Sequence, residues 1–335
     1  MTLKNFLDAN NNTFSLATRA ARDLRSQAPS VTEVVAESID LLTGVEPGTV
    51  SKYRSILRLH IQGSMIGGIP VDRLDRRRAI EWFNGIERSA KTKKNIQAVL
   101  SAGLKHAMKR GLVAENVVEG IKAPRSSVGR REPVFLSDEQ VDLIRSALDE
   151  HYRLLLDFLL GTGLRYSEAA ALTPQSFRTT NSGRLVVDVR VAWKGNGATF
   201  TLGRPKTRKS ERTVTIGHTL AERVQERLNT TKPGKYVFGT PDGEPIYNIY
   251  FHRRVWQPLL DELTNSGAEE KYGARLDCRP GPHDLRHTHA SRLIAKNIPL
   301  PVIQARLGHE SIETTVNVYG HLVETADQMA ADALE

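Results

Sequence analysis

Cysteine is almost absent from this 335-residue chain. Cys278 stands alone, which excludes an internal disulfide and any zinc site built on several thiolates. Also missing is any run approaching the roughly 20 apolar residues that a membrane span needs. The start, MTLKNFLDANNNTF, has no basic segment followed by an apolar one, so no secretory signal is read there. A cytoplasmic protein is expected. No internal repeat and no low-complexity tract interrupts the chain. Acidic runs are few, and no acidic triad suited to magnesium stands out.

What is present is an ordinary globular composition with an excess of cations. Lysine and arginine total 47 against 38 acidic residues, a net charge of +9, which favours a polyanionic partner. The cations fall in clusters: Arg76, Arg77 and Arg78; Lys91, Lys93 and Lys94; Lys105, Lys109 and Arg110; Arg125, Arg130 and Arg131; Arg204, Lys206, Arg208, Lys209 and Arg212. One such cluster is an ordinary solvated face. Five of them, with little acid to offset them, predict a surface that tracks phosphates.

The length allows two domains. Residues 1–29 are polar and weakly patterned, an arm or tail. Ser30 and Glu33 form a capping box at the start of a helix, with Val31, Val34, Val35, Ile39 and Leu42 as its apolar stripe. TVSKYRSILRLHI, RRRAIEWFNGI and TKKNIQAVLSAGLKHAMKRG follow as amphipathic helices, the last closed by Gly111. The result is an all-helical unit over 30–122. The stretch 123–133, with Arg125, Arg130 and Arg131, has the composition of a basic linker. A second domain over 134–335 begins with a helix capped by Ser137 or Asp138. RLVVDVRVAW, ATFTL and SERTVTI predict three strands, after which the chain returns to helix. The fold expected is mainly α with one small antiparallel β-sheet.

Four stretches carry possible chemistry. In HDLRHTHASRL, His283 and Arg286 share a helix face, and His283 and His287 have the spacing of metal ligands. A zinc site there would lack the glutamate of a His-Glu-x-x-His motif and any near third ligand, and Arg286 would repel a dication. In GTGLRYSEAAAL, Arg165 opens a helix, where free amides welcome anions. Glu168, three residues on, can orient its guanidinium, although an exposed ion pair has the same spacing. Lys206 lies in a turn between strands, where a long amine can reach into a groove. LGHESIETTVNVYGHL places His309 ten residues before Tyr319.

Together these residues suit a phosphodiester under attack by a tyrosine. Arginine forks match non-bridging oxygens and stay charged, offsetting the charge that grows on a five-coordinate phosphorus. A lysine or histidine must protonate the departing sugar oxygen. A phenol with a pKa of about 10 needs a base or local positive charge to attack at neutral pH. With two arginines no metal is required.

The order and wording of GTGLRYSEAAAL, PKTRKSERTV, HDLRHTHASRL and LGHESIETTVNVYGHL resemble the tyrosine recombinase, or phage integrase, family. The resemblance runs from Val31 to Leu322 and is strongest after Leu159. It implies Arg165 and Arg286 as phosphate binders, Lys206 as general acid and His283 as proton-transfer partner. It makes His309 a phosphate hydrogen-bonder, Tyr319 the nucleophile and Glu168 an acidic support. The His309-to-Tyr319 spacing is one residue longer than in Xer-type and lambda-type members. It further implies a helical core-binding domain before an α+β catalytic domain, and a 3′-phosphotyrosyl intermediate without cofactor, metal or ATP. The partners implied are duplex attachment-site DNA, three further copies at synapsis, and DNA-bending and excision-directing accessory proteins, in a nucleoid-associated setting in the bacterial cytoplasm. The tail after Tyr319 has apolar residues at helical spacing that could dock on a neighbour. An integrase of a phage or other mobile element is the expectation. The alternatives are a Xer-type dimer resolvase, a type IB topoisomerase and a non-catalytic DNA-binding protein.

Overall fold

The computed structural model describes residues 28–122, 132–196, 199–205 and 210–311. The chain divides near Arg130 into two compact units.

The first unit is helical. Helix α1 (Val31–Asp40) is capped by Ser30, whose Oγ accepts from the Glu33 amide while the Glu33 carboxylate accepts from the Ser30 amide. Helix α2 (Pro47–Ile56) runs on into a π turn, Leu57–Gln62. Helices α3 (Arg76–Asn84) and α4 (Ala90–Lys109) complete the unit, with Gly111 in the left-handed region just past the end of α4. The apolar stripe of α1 buries Val31, Val34, Val35 and Ile39 against Ile96, Val99, Leu100 and Leu104 of α4. Met108, at the edge of the stripe, remains 39% exposed.

The second unit opens with α5 (Asp138–Ala147), capped by Ser137. Helix α6 (Glu150–Thr162) is its buried centre, with Leu154, Leu155, Leu156, Phe158, Leu159 and Leu160 in the core. A four-residue helix follows, α7 (Tyr166–Ala169). The strands depart from the single three-stranded sheet expected. A short β1 (Phe177–Thr179) pairs antiparallel with β2 (Leu185–Val189), which pairs antiparallel with β5 (Arg212–Thr215). Strands β3 (Ala192–Asn196) and β4 (Thr199–Gly203) make a separate two-stranded sheet. The run RLVVDVRVAW therefore splits after Val189, its first half joining β1 and β5 and its second half β4.

Helix α8 (His218–Thr230) packs on α6. The next segment forms α9 (Asn248–Phe251), a π turn (His252–Trp256) and α10 (Gln257–Thr264). Pro258 lacks the amide that an unbroken α-helix requires at that point. Helices α11 (Ala268–Tyr272), α12 (Asp284–Ala295) and α13 (Leu300–Leu307) complete the described chain, with α12 lying on α6. No helix among the described residues is long and apolar enough to cross a membrane.

The helix before Arg165 is broken by Gly163 and not by Gly161. Gly161 lies within α6, and Gly163 caps it with φ +68°. A Cβ on Gly163 would stand 2.5 Å from the His289 ring and 2.9 Å from Leu307. Gly163→Ala therefore combines a left-handed backbone cost of about 1–2 kcal/mol with overpacking of about 1–3 kcal/mol. Thermal or urea unfolding should show the sum. Gly183 also has positive φ, with nothing within 4 Å of an added Cβ, so Gly183→Ala should show the backbone part alone.

Candidate active site

The site is built where three chain segments meet: the turn after α6, the start of α12 and the turn after α13. Arg286, on α12, joins the other two. Its Nη1 donates to the Gly163 carbonyl at 2.7 Å and its Nη2 to the Leu307 carbonyl at 2.6 Å. Those carbonyls lie two residues before Arg165 and two before His309. One buried guanidinium thus sets the spacing of both segments.

Arg165 is held by Glu168. The carboxylate accepts from the Arg165 guanidinium at 2.8 Å and from the Arg165 backbone amide at 2.9 Å. Only 1% of the Glu168 side chain is exposed, against 36% for Arg165. This is a buried brace for a half-exposed cation, not a surface ion pair. Helix α7 has four residues, and the Arg165 amide is already donated to Glu168.

His283 caps α12 and still reaches solvent. Its turn is fixed by Asp284, whose carboxylate accepts from the Gly281 amide at 2.6 Å and the Val134 amide at 3.2 Å. The His283 and His287 rings meet edge-on, centroids 4.9 Å apart. His309 follows Gly308, which caps α13 at φ +67°. Its backbone is tied on both sides to Gln304, N–H to carbonyl at 3.1 Å and carbonyl to side-chain amide at 3.2 Å.

These groups share one electrostatic environment. Burial, then His287, Arg286 and Arg165, push the His283 pKa down to about 4 against an opposing pull from Asp284. Burial, then Arg286, Arg165, His283 and His287, push His309 down to about 3. Both cations act on both imidazoles. Both shifts favour the neutral ring, which has one N–H to donate and one nitrogen to accept. An entering phosphodiester would bring negative charge among two fixed guanidiniums, the arrangement that stabilises a charged phosphoryl transition state.

Two expected members, Lys206 and Tyr319, lie outside the described residues, as do Arg125, Arg130, Arg131, Arg208 and Lys209, the tail 1–27 and the segment after Ser311. Sequence reasoning missed one buried participant. Arg212, grouped above with solvated cations, is 8% exposed, and its Nη2 donates to Glu168 at 2.9 Å. Its place in the RTVT strand with burial on alternate residues was the available signal.

The cations of the helical unit divide by helical phase. Lys91, Lys94, Lys105 and Lys109 on α4 are exposed and fall within an arc of about 60° over about 27 Å of helix. Lys93 lies on the opposite side. It is buried, its amine 5.9 Å from the centroid of the Phe83 ring, and is withdrawn as a DNA contact. Arg78 is likewise buried. Arg76 donates to the Val117 and Glu119 carbonyls, and Arg77 pairs with Glu81.

The family model described as "Phage integrase family" matches residues 134–325. The chain belongs to the phage integrase family. It is a tyrosine recombinase, of the family whose enzymes cleave and rejoin DNA. A "Tyrosine recombinase XerC-like" protein of Caldanaerobacter subterraneus subsp. tengcongensis is 28% identical over 309 residues, 86% of this chain and 78% of its own. The Tn1549 transposon integrase, solved with a circular intermediate DNA, superposes with a TM-score of 0.75 at 21% identity. The match covers 92% of this chain and all of that one. A lambda integrase tetramer bound to a Holliday junction gives a TM-score of 0.61 at 19% identity, covering 87% of this chain and 80% of its own. The fold of this recombinase is thus that of DNA-breaking integrases, mostly helical with small antiparallel sheets.

Proposed function

We propose that this recombinase is the integrase of a mobile element and that Tyr319 attacks the scissile phosphate, leaving a 3′-phosphotyrosyl link and a free 5′-hydroxyl. Arg165 and Arg286 hold the non-bridging oxygens, His309 donates to one of them, and His283 relays the tyrosyl proton. Lys206 protonates the departing 5′-oxygen. A 5′-hydroxyl of the partner duplex then reverses the chemistry, one phosphodiester replacing another. The observation that carries this reading is Arg286 bridging Gly163 and Leu307, which fixes Arg165 and His309 about one buried cation.

The stripe of Lys91, Lys94, Lys105 and Lys109 supports a second contact with duplex DNA. Exposed Ala98 and Ala102 between those lysines leave the helix backbone free to approach phosphates. Residues 30–122 thereby act as the core-binding domain, 123–133 as a basic linker and 134–335 as the catalytic domain. Four protomers assemble at synapsis, as in the lambda integrase structure. DNA-bending and excision-directing proteins would set the direction of the reaction.

Lys206 offers a sharp test. A general acid contributes about a hundredfold to ten-thousandfold by protonating its leaving group. A 5′-bridging sulfur leaves as a stable thiolate and needs no proton. Lys206→Ala is expected to cleave a normal site slowly and a sulfur-substituted site near the wild-type rate in single-turnover assays. Arg165→Ala should gain much less from sulfur. Equal response of the two variants would move the general-acid role to Lys209 or His283.

A further inference from the structure

Arg212 is a heavily committed buried cation for which the chemistry above has no use. It sits at the start of β5, 8% exposed. All three of its guanidinium nitrogens are engaged. Nη2 donates to Glu168 Oε2 at 2.9 Å, Nε to the Arg306 carbonyl at 2.7 Å, and Nη1 to the Ser210 carbonyl at 3.0 Å.

Two of these contacts, and the packing of the arginine, lead to parts of the active site. Glu168 holds the Arg165 guanidinium and amide. The Arg306 carbonyl immediately precedes that of Leu307, which binds Arg286. Gly308, just before His309, lies against the arginine: a Cβ there would stand 3.0 Å from Arg212 Cδ and 3.2 Å from Nη1. We infer that Arg212 is a positioning residue for DNA cleavage, fixing the Glu168 carboxylate, and through it Arg165, in register with the turn that carries His309.

Stability alone does not account for an ion pair in this place. Replacing a buried ion pair by well-packed apolar residues is often neutral or stabilising, because desolvation offsets the Coulombic gain. Here burial works to raise the Glu168 pKa, and Arg212 followed by Arg165 overcomes it, holding the carboxyl below the usual range. The site therefore keeps an ionised carboxylate in the core, and among the described residues the half-exposed group it orients is Arg165. Every guanidinium nitrogen of Arg212 is committed to a protein acceptor. Arg212 acts through Glu168.

This inference rests on Arg165 being a phosphate binder, and one experiment separates the two ideas. A methylphosphonate at the scissile position replaces a charged oxygen with a neutral methyl group, so that cation placement matters far less. Single-turnover cleavage of phosphate and methylphosphonate sites is compared for wild type, Arg165→Ala, Arg212→Gln and Arg212→Lys. The lysine variant keeps a buried cation but cannot donate to Glu168, Arg306 and Ser210 together, and it carries the test if the glutamine variant does not fold. The Arg212 variants are expected to cleave the phosphate about 10- to 100-fold slower, the usual effect of losing a supporting partner, and to recover to within a few-fold of wild type on the methylphosphonate. Arg165→Ala should show the same recovery from a deeper deficit. If Arg165→Ala recovers while both Arg212 variants stay slow on both substrates, Arg212 is structural and the inference fails alone. A normal rate for both Arg212 variants on the phosphate overturns it equally. If Arg165→Ala does not recover, the phosphate-binding reading of Arg165 falls, and the positioning role with it.

Discussion

Tyr319→Phe is expected to bind target DNA as wild type does and to form no covalent protein–DNA adduct at all. The substitution removes one oxygen. The ring stays, and so do the cations that hold the phosphate. Every other assigned residue lowers the barrier by a finite factor, whereas the tyrosyl oxygen supplies the bond itself, so the loss is complete rather than graded. Wild-type protein in excess chelator should still form the adduct, since arginines and not a metal carry the phosphoryl charge in the proposed chemistry. The measurement is gel separation after denaturation, alongside a binding assay under native conditions. A denaturation-resistant adduct with Tyr319→Phe would sink the assignment.

The next largest effect is expected at Arg286. This side chain has two tasks, and two substitutions separate them. Arg286→Lys keeps a positive charge but loses the planar fork that serves the Gly163 and Leu307 carbonyls together. Cleavage should fall about 10²–10³-fold, the cost of losing a preorganised donor to a developing charge. Arg286→Ala should fall further and also lose stability. Two buried carbonyls would each lose a donor, at about 1–3 kcal/mol apiece. Urea unfolding of the three proteins beside single-turnover cleavage would show both effects. Near-wild-type cleavage by Arg286→Lys would mean that the fork geometry is not needed.

Much of the site was legible because its chemistry is written in residue types at helical spacing. Arg165 with Glu168 and His283 with Arg286 are three-residue pairs, and the structure joins the first of them directly. The Ser30–Glu33 and Ser137 caps were legible for the same local reason. What escaped was set by partners distant in sequence. Arg212 resembles any lysine-rich strand end until Glu168, 44 residues earlier, is seen beneath it. Lys93 is flanked by true surface lysines, and only its rotation around α4 turns it onto Phe83. Strand β1, three residues long, is too short to show alternation. The split between β2 and β3 depends on which neighbour each half pairs with, and the composition of RLVVDVRVAW does not encode that choice.

The bond from Arg286 to Gly163 spans 123 residues. Contacts of that separation close slowly, because a long loop must be ordered before they form. Synthesis runs from the N-terminus, so Arg165 leaves the ribosome long before Arg286, and Tyr319 later still. A partly made chain can hold the whole helical unit before the segment bearing Arg286 exists. On the proposed roles, the cleavage centre therefore depends on residues made at widely separated times, and no early segment of the chain holds it.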